Sequence, residues 1–515
     1  MSLPENMFPL SAAQLGIWLD QQINLSSPRY NFGEYLEFNA PIDAALFEQA
    51  LRHVVAETEA LRVRIVDDGE EPRQAIDSSP HWLMPIIDFS AEPDGRACAE
   101  AWMNADLAQP IDLSKGPLFG FSLLKTSAEQ FLWYARYHHI AMDGFSMGLV
   151  ARRVAEIYTQ LCAGQIPSRR PDGAVAVLLE DEVNYRASEQ YAKDRTYWLG
   201  YIANRPDPIG FAGRPVAASD AKIRKTIYLQ EGCAEALRSI AHRIGASVPQ
   251  VITATTAIFL HRLIGETDLI IGLAATARTR VSRRIPGMVA NVLPLRLSLH
   301  PASSVADVVG QTAAQMRRGL RHQRYPIAEL RRETRGFDNS RPVFALSVNI
   351  MPFDYDFRFA GCAAIAKNLS LGPVDDISIS VYDRSDGGPI QIDFDANPAR
   401  YDTDEIAGYQ ERFLRLLEGA VGDPGRSISA LEILSAAERR VLLHDWNDTA
   451  RALPPTTLPG LFAAQAVRTP EAIAVVGDDQ NLSYGELEVR ANRLAHHLRA
   501  LGVGPEVVVG LCVER

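Results

Sequence analysis

YHHIAMDGFS, residues 137–146, is the stretch from which the rest of the chain is read. It follows FLWYAR (131–136), whose apolar and aromatic content is that of a buried strand. Beyond it, Met147, Val150, Val154, Ile157, Tyr158 and Leu161 recur mostly at spacings of three and four, one face of a helix. The two histidines and Asp143 therefore stand where a strand ends and a helix begins. There a rigid element can hold a catalytic group beside a loop that admits substrate. An imidazole titrates near neutrality, so His139 can take a proton from an attacking amine or hydroxyl. If the strand runs straight through both histidines, His138 and His139 point to opposite faces, and at most one faces a given cavity. Gly144 is expected to relieve crowding at the bend. On the residues alone, a satisfied core histidine beside a helix-capping aspartate explains the same letters.

The chain has 515 residues, 47% of them apolar, enough for about two to four structural units with a large core. Net charge is −11 with no long basic block, which disfavours a nucleic-acid partner. Cys98, Cys162, Cys233, Cys362 and Cys512 are scattered with no CxxC pair, so neither a disulfide framework nor a metal site is expected. The N-terminus lacks a basic region followed by an apolar core, and no uncharged apolar run reaches the roughly 20 residues of a membrane span. A cytoplasmic protein with no membrane partner is the expectation. VVVGLCVER, at the end, reads as a strand and its exit, so the chain is expected to be a piece of a longer polypeptide.

In order, PLSAAQLGIW (9–18) reads as a helix start capped by Ser11, and YNFGEYLEFNA (30–40) as a strand. Residues 41–54 read as a helix. Arg62 and Arg64 alternate with apolar neighbours as on a solvated strand face. HWLMPIIDFS (81–90) is a strand candidate, 97–108 a helix, and 110–124 a turn and a strand. This order fits an α/β sandwich. GQIPSRRPDGAV and PDPIGFAGRPVAAS (206–219) read as loops, the second as a linker between lobes. Then follow a strand (KIRKTIYL), a helix (CAEALRSIAHRI), a strongly apolar buried helix over 248–265, and a strand leading to Arg278. GPVDDISISVYDRSDGGPIQIDFDANPARY reads as two strands around a loop, a hairpin or a long active-site crossing. Asp375 and Asp376 raise paired-carboxylate chemistry, but a turn or capping role is better supported. A last amphipathic helix runs from about Tyr401 to Leu417.

HHIAMDG matches the HHxxxDG signature of condensation domains in nonribosomal peptide synthetases; the HxxxD acyltransferases, chloramphenicol acetyltransferase among them, share a shorter form. Other stretches resemble further motifs of that family. In the first, Ser11, Ala13, Gln14 and Trp18 match, with Gly16 where an arginine is usual. Glu59, Leu61 and Arg62 match the second, with Glu57-Thr58 in place of an Arg-His pair. NVLPLR (291–296) resembles the fifth and RHQRYPIAEL the sixth, where His322, Gln323, Tyr325 and Pro326 match and Arg324 departs from an acidic residue. Arg341, Pro342 and Phe344 resemble the seventh. WNDT and LSYGEL (482–487) resemble the approach to an adenylation domain and its first core motif.

The resemblance implies an α/β fold: a two-lobed, pseudo-dimeric chloramphenicol-acetyltransferase-like sandwich, with lobes over 1–205 and 206–430. A linker over 431–458 and a truncated adenylation-domain start over 459–515 follow. It implies His139 as the central catalytic group and the Gly144 N–H as an oxyanion donor. His138, Asp143, Arg278 and Arg62 become structural supports, with Asp143 and Arg278 as an ion pair. Ser11, Gln14, Trp18, Asn291, His322 and Tyr325 become candidate channel-lining residues, Asn291 equally a partner for a neighbouring strand. The implied reaction joins two thioester-bound substrates as an amide. Each arrives on the 4′-phosphopantetheine arm of a carrier domain, with no tightly bound cofactor and no metal. The donor carrier is expected in trans, an aryl carrier being one candidate, because the domain begins almost at residue 1. Adenylation and peptidyl carrier domains are expected downstream. The run also resembles the first module of enterobactin-type siderophore synthases, with a lipid starter as the other donor. Epimerisation of a carrier-bound aminoacyl thioester, acyl transfer from soluble acyl-CoA and a non-catalytic docking domain are the competing readings.

Overall fold

The computed structural model describes all residues except 1–6, 68, 70, 169–173, 207, 209, 212–218, 335–342, 352–355, 384–388, 454, 478–479 and 514–515. Most of the expected 206–219 linker, Arg341 and Pro342 therefore lie outside the described residues. The chain divides into two units, Met1–Ser435 and Ala436–Arg515.

The motif strand is Phe131–His138. It lies inside a six-stranded sheet, antiparallel to Asn31–Phe38 on one side and to Phe119–Lys125 on the other. Both of its faces are covered, which is why its sequence is an almost unbroken apolar run rather than an alternating one. Trp133, Ala135 and Tyr137 face a core shared with the helices Ala44–Glu57 and Gly144–Cys162; Leu132 and Tyr134 face a smaller cluster with Ala99 and Met103 of the helix Gly95–Leu107. Asp143 caps the motif helix through the Ser146 N–H, so the segment between strand and helix is only a few residues long.

A second six-stranded sheet runs in the order Asn291–Ser298, Asp268–Ala275, Leu346–Ile350, Ile377–Tyr382, Gln391–Ala396, Ile223–Tyr228. Val248–Ile264 is buried along most of its length in the core of this sheet, beside the helices Glu231–Ile244, Val305–Arg321 and Thr403–Gly422. Its apolar character is thus that of a core helix, as expected. Among the described residues no single helix is long and apolar enough to cross a membrane; Glu231–Ile244 and Val248–Ile264 pass that test only together, across a 99° bend.

The two sheets are not built from separate halves of the chain. Phe357–Phe359 and Cys362–Ser370 leave the second half and join the first sheet, with Cys362–Ser370 antiparallel to Asn31–Phe38. The chain then returns to the second sheet through residues 371–376, and this return runs past the motif.

The second unit contains the helix Leu458–Arg468, a hairpin of Ile473–Val476 and Asn481–Ser483, and the helix Tyr484–Ala500, opened by a Ser483–Glu486 capping box. The strand expected in VVVGLCVER does not form among the described residues. Val508, Val509, Leu511 and Val513 are exposed there, and a strand without a neighbour has nothing to receive its backbone hydrogen bonds. HWLMPIIDFS yields only the three-residue strand Ile86–Asp88, because Pro80 and Pro85 withhold ladder donors.

Candidate active site

A cavity of about 1450 Å³ is lined by residues from both halves of the first unit, among them Ser11, Phe32, His139, Asp143, Gly144, Asn291, Met351 and residues 371–376. His139 is the first residue past the motif strand; its N–H donates to the Tyr30 carbonyl (2.9 Å). Its ring stacks on Phe32, with centroids 4.1 Å apart and planes 18° apart. Nε2 lies 3.0 Å from the Leu371 carbonyl, so Nε2 carries the proton in this arrangement. Burial pulls the His139 pKa down, while the Leu371 carbonyl, the Asp143 charge and the Met142 carbonyl pull the other way.

His138 does not line the cavity. Its Nδ1 accepts from the Ile140 N–H (3.1 Å), which leaves Nε2–H facing Gln21 Oε1 at 3.4 Å. Gln21 is itself fixed by donating to the carbonyls of Asn24 and Ser27. Burial, with help from His139, pushes His138 down to about 3, so it is neutral at physiological pH and shapes the loop from behind.

Asp143 and Arg278 form a buried pair, each side chain 1% exposed. Arg278 Nη2 donates to both carboxylate oxygens (2.9 and 3.0 Å), and its Nη1 to the carbonyls of Ser282 and Ile285. Asp143 also accepts from the Ser146 N–H and hydroxyl and from the N–H groups of Val289 and Ala290. The carboxylate therefore ties the motif loop to the segment before Asn291–Ser298, and no oxygen is left to act on a substrate. The guanidinium also lies over Phe145, 4.9 Å from the ring centroid.

Gly144 lines the cavity as the first residue of the motif helix, where an N–H has no intrahelical acceptor. The expected relief of crowding is not seen: a Cβ there would meet Met351 Cε at an ordinary 3.5 Å, and the backbone is not left-handed.

The remaining expected residues divide. Ser11 lines the cavity and shares a capping box with Gln14. Gln14 is buried behind the wall, donating to the Ile140 carbonyl (2.9 Å) and so bracing the motif loop. Asn291 lines the cavity, and its amide donates to the carbonyls of Gln323 and Tyr325 in the turn after the helix Val305–Arg321, not to a neighbouring strand as the alternative expectation had it. Trp18, His322, Tyr325 and Arg62 are not in the wall. Trp18 packs against the first core; His322 stacks on Tyr197 and pairs with Asp194 (2.7 Å); the Tyr325 hydroxyl donates to Glu333. Arg62 donates to the Asp77 carbonyl (2.9 Å) beside the strand Val63–Val66, a local tie with no part in the cavity. Asp375 and Asp376 line the cavity but are engaged, Asp375 with Arg29 and Asp376 with Tyr401 and Arg400.

Phe32, Tyr30, Leu371 and Gly372 touch His139, and the sequence reading named none of them as a site residue. Phe32 is legible only as a strand residue, and the others are two backbone carbonyls, of Tyr30 and Leu371, and the backbone of a glycine. Among the described residues no group of three or more His, Cys, Asp or Glu is placed to hold a metal ion.

The condensation-domain family matches residues 4–443, and the AMP-binding enzyme family matches residues 462–515. The chain is 41% identical over 509 residues to a dimodular nonribosomal peptide synthase of Bacillus subtilis (strain 168), covering 99% of this chain and 21% of that protein. It is 29% identical over 514 residues to enterobactin synthase component F of Escherichia coli (strain K12), covering 98% of this chain and 39% of the relative. The chain thus spans about a fifth to two fifths of the length of these relatives. A solved starter condensation domain of rhizomide synthetase, in complex with C8-CoA, is 40% identical with a TM-score of 0.79, over 83% of this chain and 98% of that one. The enterobactin-type likeness is therefore real, but it is weaker than the likeness to these other synthetases. The cavity, its histidine, the two-lobed architecture and these matches together place the chain in the condensation-domain family of nonribosomal peptide synthetases, enzymes of amide-bond formation, continuing into the start of an adenylation domain.

Proposed function

We propose that the chain joins an acyl or aryl thioester donor to the amine of an aminoacyl thioester. Both substrates are presented on phosphopantetheine arms, the donor by a carrier in trans and the acceptor by a carrier of the same synthetase. The amine nitrogen attacks the donor carbonyl, the C–N bond forms, the C–S bond breaks, and the donor's thiol leaves with a proton. Much of the rate comes from holding two tethered reactants together. We assign His139 to the reacting amine, as the group that takes its proton or orients it, and the Gly144 N–H to the developing oxyanion. Asp143, Arg278, His138 and Gln14 hold that loop in place. The observation that carries the reading is His139 on the wall of a cavity of about 1450 Å³ lined by both halves of the first unit.

We further assign residues 1–205 and 206–430 to the two lobes, 431–458 to a linker and 459–515 to the adenylation start. The assignment follows chain order, since the strands over 357–370 serve the first sheet.

Two donor classes compete. The enterobactin-type reading gives a hydroxybenzoyl donor. A fatty-acyl donor is favoured by the 40% identity to the starter domain in complex with C8-CoA, against 29% to component F. One experiment separates them. An acceptor carrier loaded with an amino acid is offered octanoyl-, hydroxybenzoyl- and aminoacyl-loaded donor carriers, and the joined product is read by mass. Octanoyl amide as the main product supports the fatty-acyl reading; hydroxybenzoyl amide supports the siderophore reading. Inversion of a single loaded amino acid identifies an epimerase. Transfer only from soluble octanoyl-CoA identifies a free acyltransferase, and binding without turnover a docking domain.

A further inference from the structure

Residues 371–376 return from the first sheet to the second directly across His139. The His139 ring is half-buried there, on the cavity wall. Nε2 donates to the Leu371 carbonyl at 3.0 Å, and Nδ1 is buried towards the Met142 carbonyl without a well-formed hydrogen bond. Phe32 covers one face of the ring. Gly372 lies against its edge: a Cβ on Gly372 would stand 2.6 Å from Cδ2 and 2.7 Å from Nε2, and φ is +94°. Only glycine fits that place on both counts. In this arrangement the nitrogen nearest the segment already carries a proton and cannot accept one from an amine.

The segment is held from the opposite lobe. Arg29 Nη2 donates to Asp375 Oδ1 at 2.9 Å, and its Nη1 lies 3.1 Å from Asp20 Oδ2 on the helix Ala12–Gln21. The Tyr30 hydroxyl donates to the same Asp20 oxygen (2.7 Å), and the Tyr30 carbonyl accepts the His139 N–H. On its far side the segment is anchored in the second sheet's lobe. The Asn397 N–H donates to the Asp376 carbonyl, and the Tyr401 hydroxyl to the Asp376 carboxylate. One attachment is therefore interior and the other is not: the Asp376 side chain is 2% exposed in its pair with Arg400, the Asp375 side chain 54% exposed in its pair with Arg29. Arg29 is itself 18% exposed, so the pair has one solvated member, and its loss should shift the covered–uncovered equilibrium about fivefold. The Asp143–Arg278 pair, by contrast, has both side chains 1% exposed.

We propose that residues 371–376 are a cover over His139, and that Arg29 is the positioning residue that latches it. The acceptor amine reaches Nε2 only when Leu371 withdraws and the ring proton moves to Nδ1, on the side of the motif's own backbone. The proposal rests on the assignment of His139 to the amine. Its consequence for kinetics follows from population: if only the uncovered fraction is competent, weakening the latch lowers the apparent KM for the acceptor in proportion.

The test is the reactivity of His139 toward diethyl pyrocarbonate, which acylates an accessible unprotonated imidazole nitrogen. Rates are read by peptide mass spectrometry on the full chain, with the exposed His496 as internal reference. His139 should react slowly in the parent, about fivefold faster in Arg29→Ala and in Asp375→Asn, and near the parent rate in Arg29→Lys. Arg29→Ala should lower the acceptor KM by a similar factor with kcat within about twofold. Equal labelling in parent and both loss variants would overturn the cover, as would a parent His139 as reactive as His496. A raised acceptor KM with a lowered kcat would overturn the latch role of Arg29. Labelling needs no condensation, so slow labelling of the parent and faster labelling of both loss variants, in a chain that forms no amide, would count against the reaction assigned to His139 and leave the cover standing.

Discussion

Asp143→Ala should destabilise the first unit far more than loss of one hydrogen bond. The variant leaves the Arg278 guanidinium 1% exposed, still held by the carbonyls of Ser282, Ile285 and Gly287 but without a counter-charge. Stranding a buried charge in this way costs about 3–5 kcal/mol. The cap on the Ser146 N–H goes as well, and removing such a cap costs about 1 kcal/mol. The two losses share one carboxylate, so a total of about 4–5 kcal/mol is expected. With about 2.1 cal/mol/K per residue over the 435 residues of the first unit, unfolding entropy is about 0.9 kcal/mol/K, and the melting midpoint should fall by about 5 °C. Differential scanning calorimetry on the parent, Asp143→Ala, Arg278→Met and the double variant gives the full cycle. The double variant removes both charges, so it should recover at least about 2 kcal/mol against the sum of the single losses. An Asp143→Ala midpoint within about 1 °C of the parent, well short of the shift expected from the unfolding entropy, or strict additivity in the double variant, would refute the reasoning.

Two further stability effects follow from buried titratable groups. Burial raises Glu34 to about 7 from 4.5, so its folded form prefers the proton. Its contribution is complete below pH 4.5 and is lost as pH rises through about 7. Glu34→Gln should therefore gain about 3 kcal/mol on the parent between pH 4 and pH 8, and a pH-independent difference in denaturant midpoints would contradict this. His138 is shifted the other way, from 6.5 to about 3. Its stability contribution is complete above pH 6.5 and falls away with acid, by about 2 kcal/mol at pH 5, and His138→Gln should lose that share of the acid sensitivity. A variant with the parent's full acid response would count against the neutral buried ring.

Local signals in the sequence carried much of the fold. The run FLWYAR has the apolar and aromatic content of an interior strand, and Ser11 with Gln14 three residues on has the spacing of a capping box. The strongly apolar 248–265 stretch reads as a core helix, and one forms over Val248–Ile264. What stayed hidden is long-range. Nothing in CAAIAKNLS says that it pairs with Asn31–Phe38, more than three hundred residues earlier, because strand pairing is set by the packed sheet and not by the strand's own letters. The site shows the same divide. The Asp143–Arg278 pair came from resemblance, since no spacing links residues so far apart in the chain. Arg62, Trp18, His322 and Tyr325 match the motifs, yet their side chains serve packing and local ties outside the cavity wall. The contact that encloses His139 is a backbone carbonyl, and a carbonyl has no letter of its own; only Gly372 marks it.

The most direct measurement of the central claim is a single-turnover assay with two preloaded carriers, octanoyl or hydroxybenzoyl on the donor and an amino acid on the acceptor. Parent and His139→Ala are compared under the same conditions. The parent should form one amide product on the acceptor carrier. The variant should form it at least about 100-fold more slowly, the usual share of a positioned proton-transfer group, while binding both carriers with unchanged affinity. Parent-like amide formation by His139→Ala would remove His139 from the chemistry, and absence of amide from the parent with every donor would contradict the condensation itself.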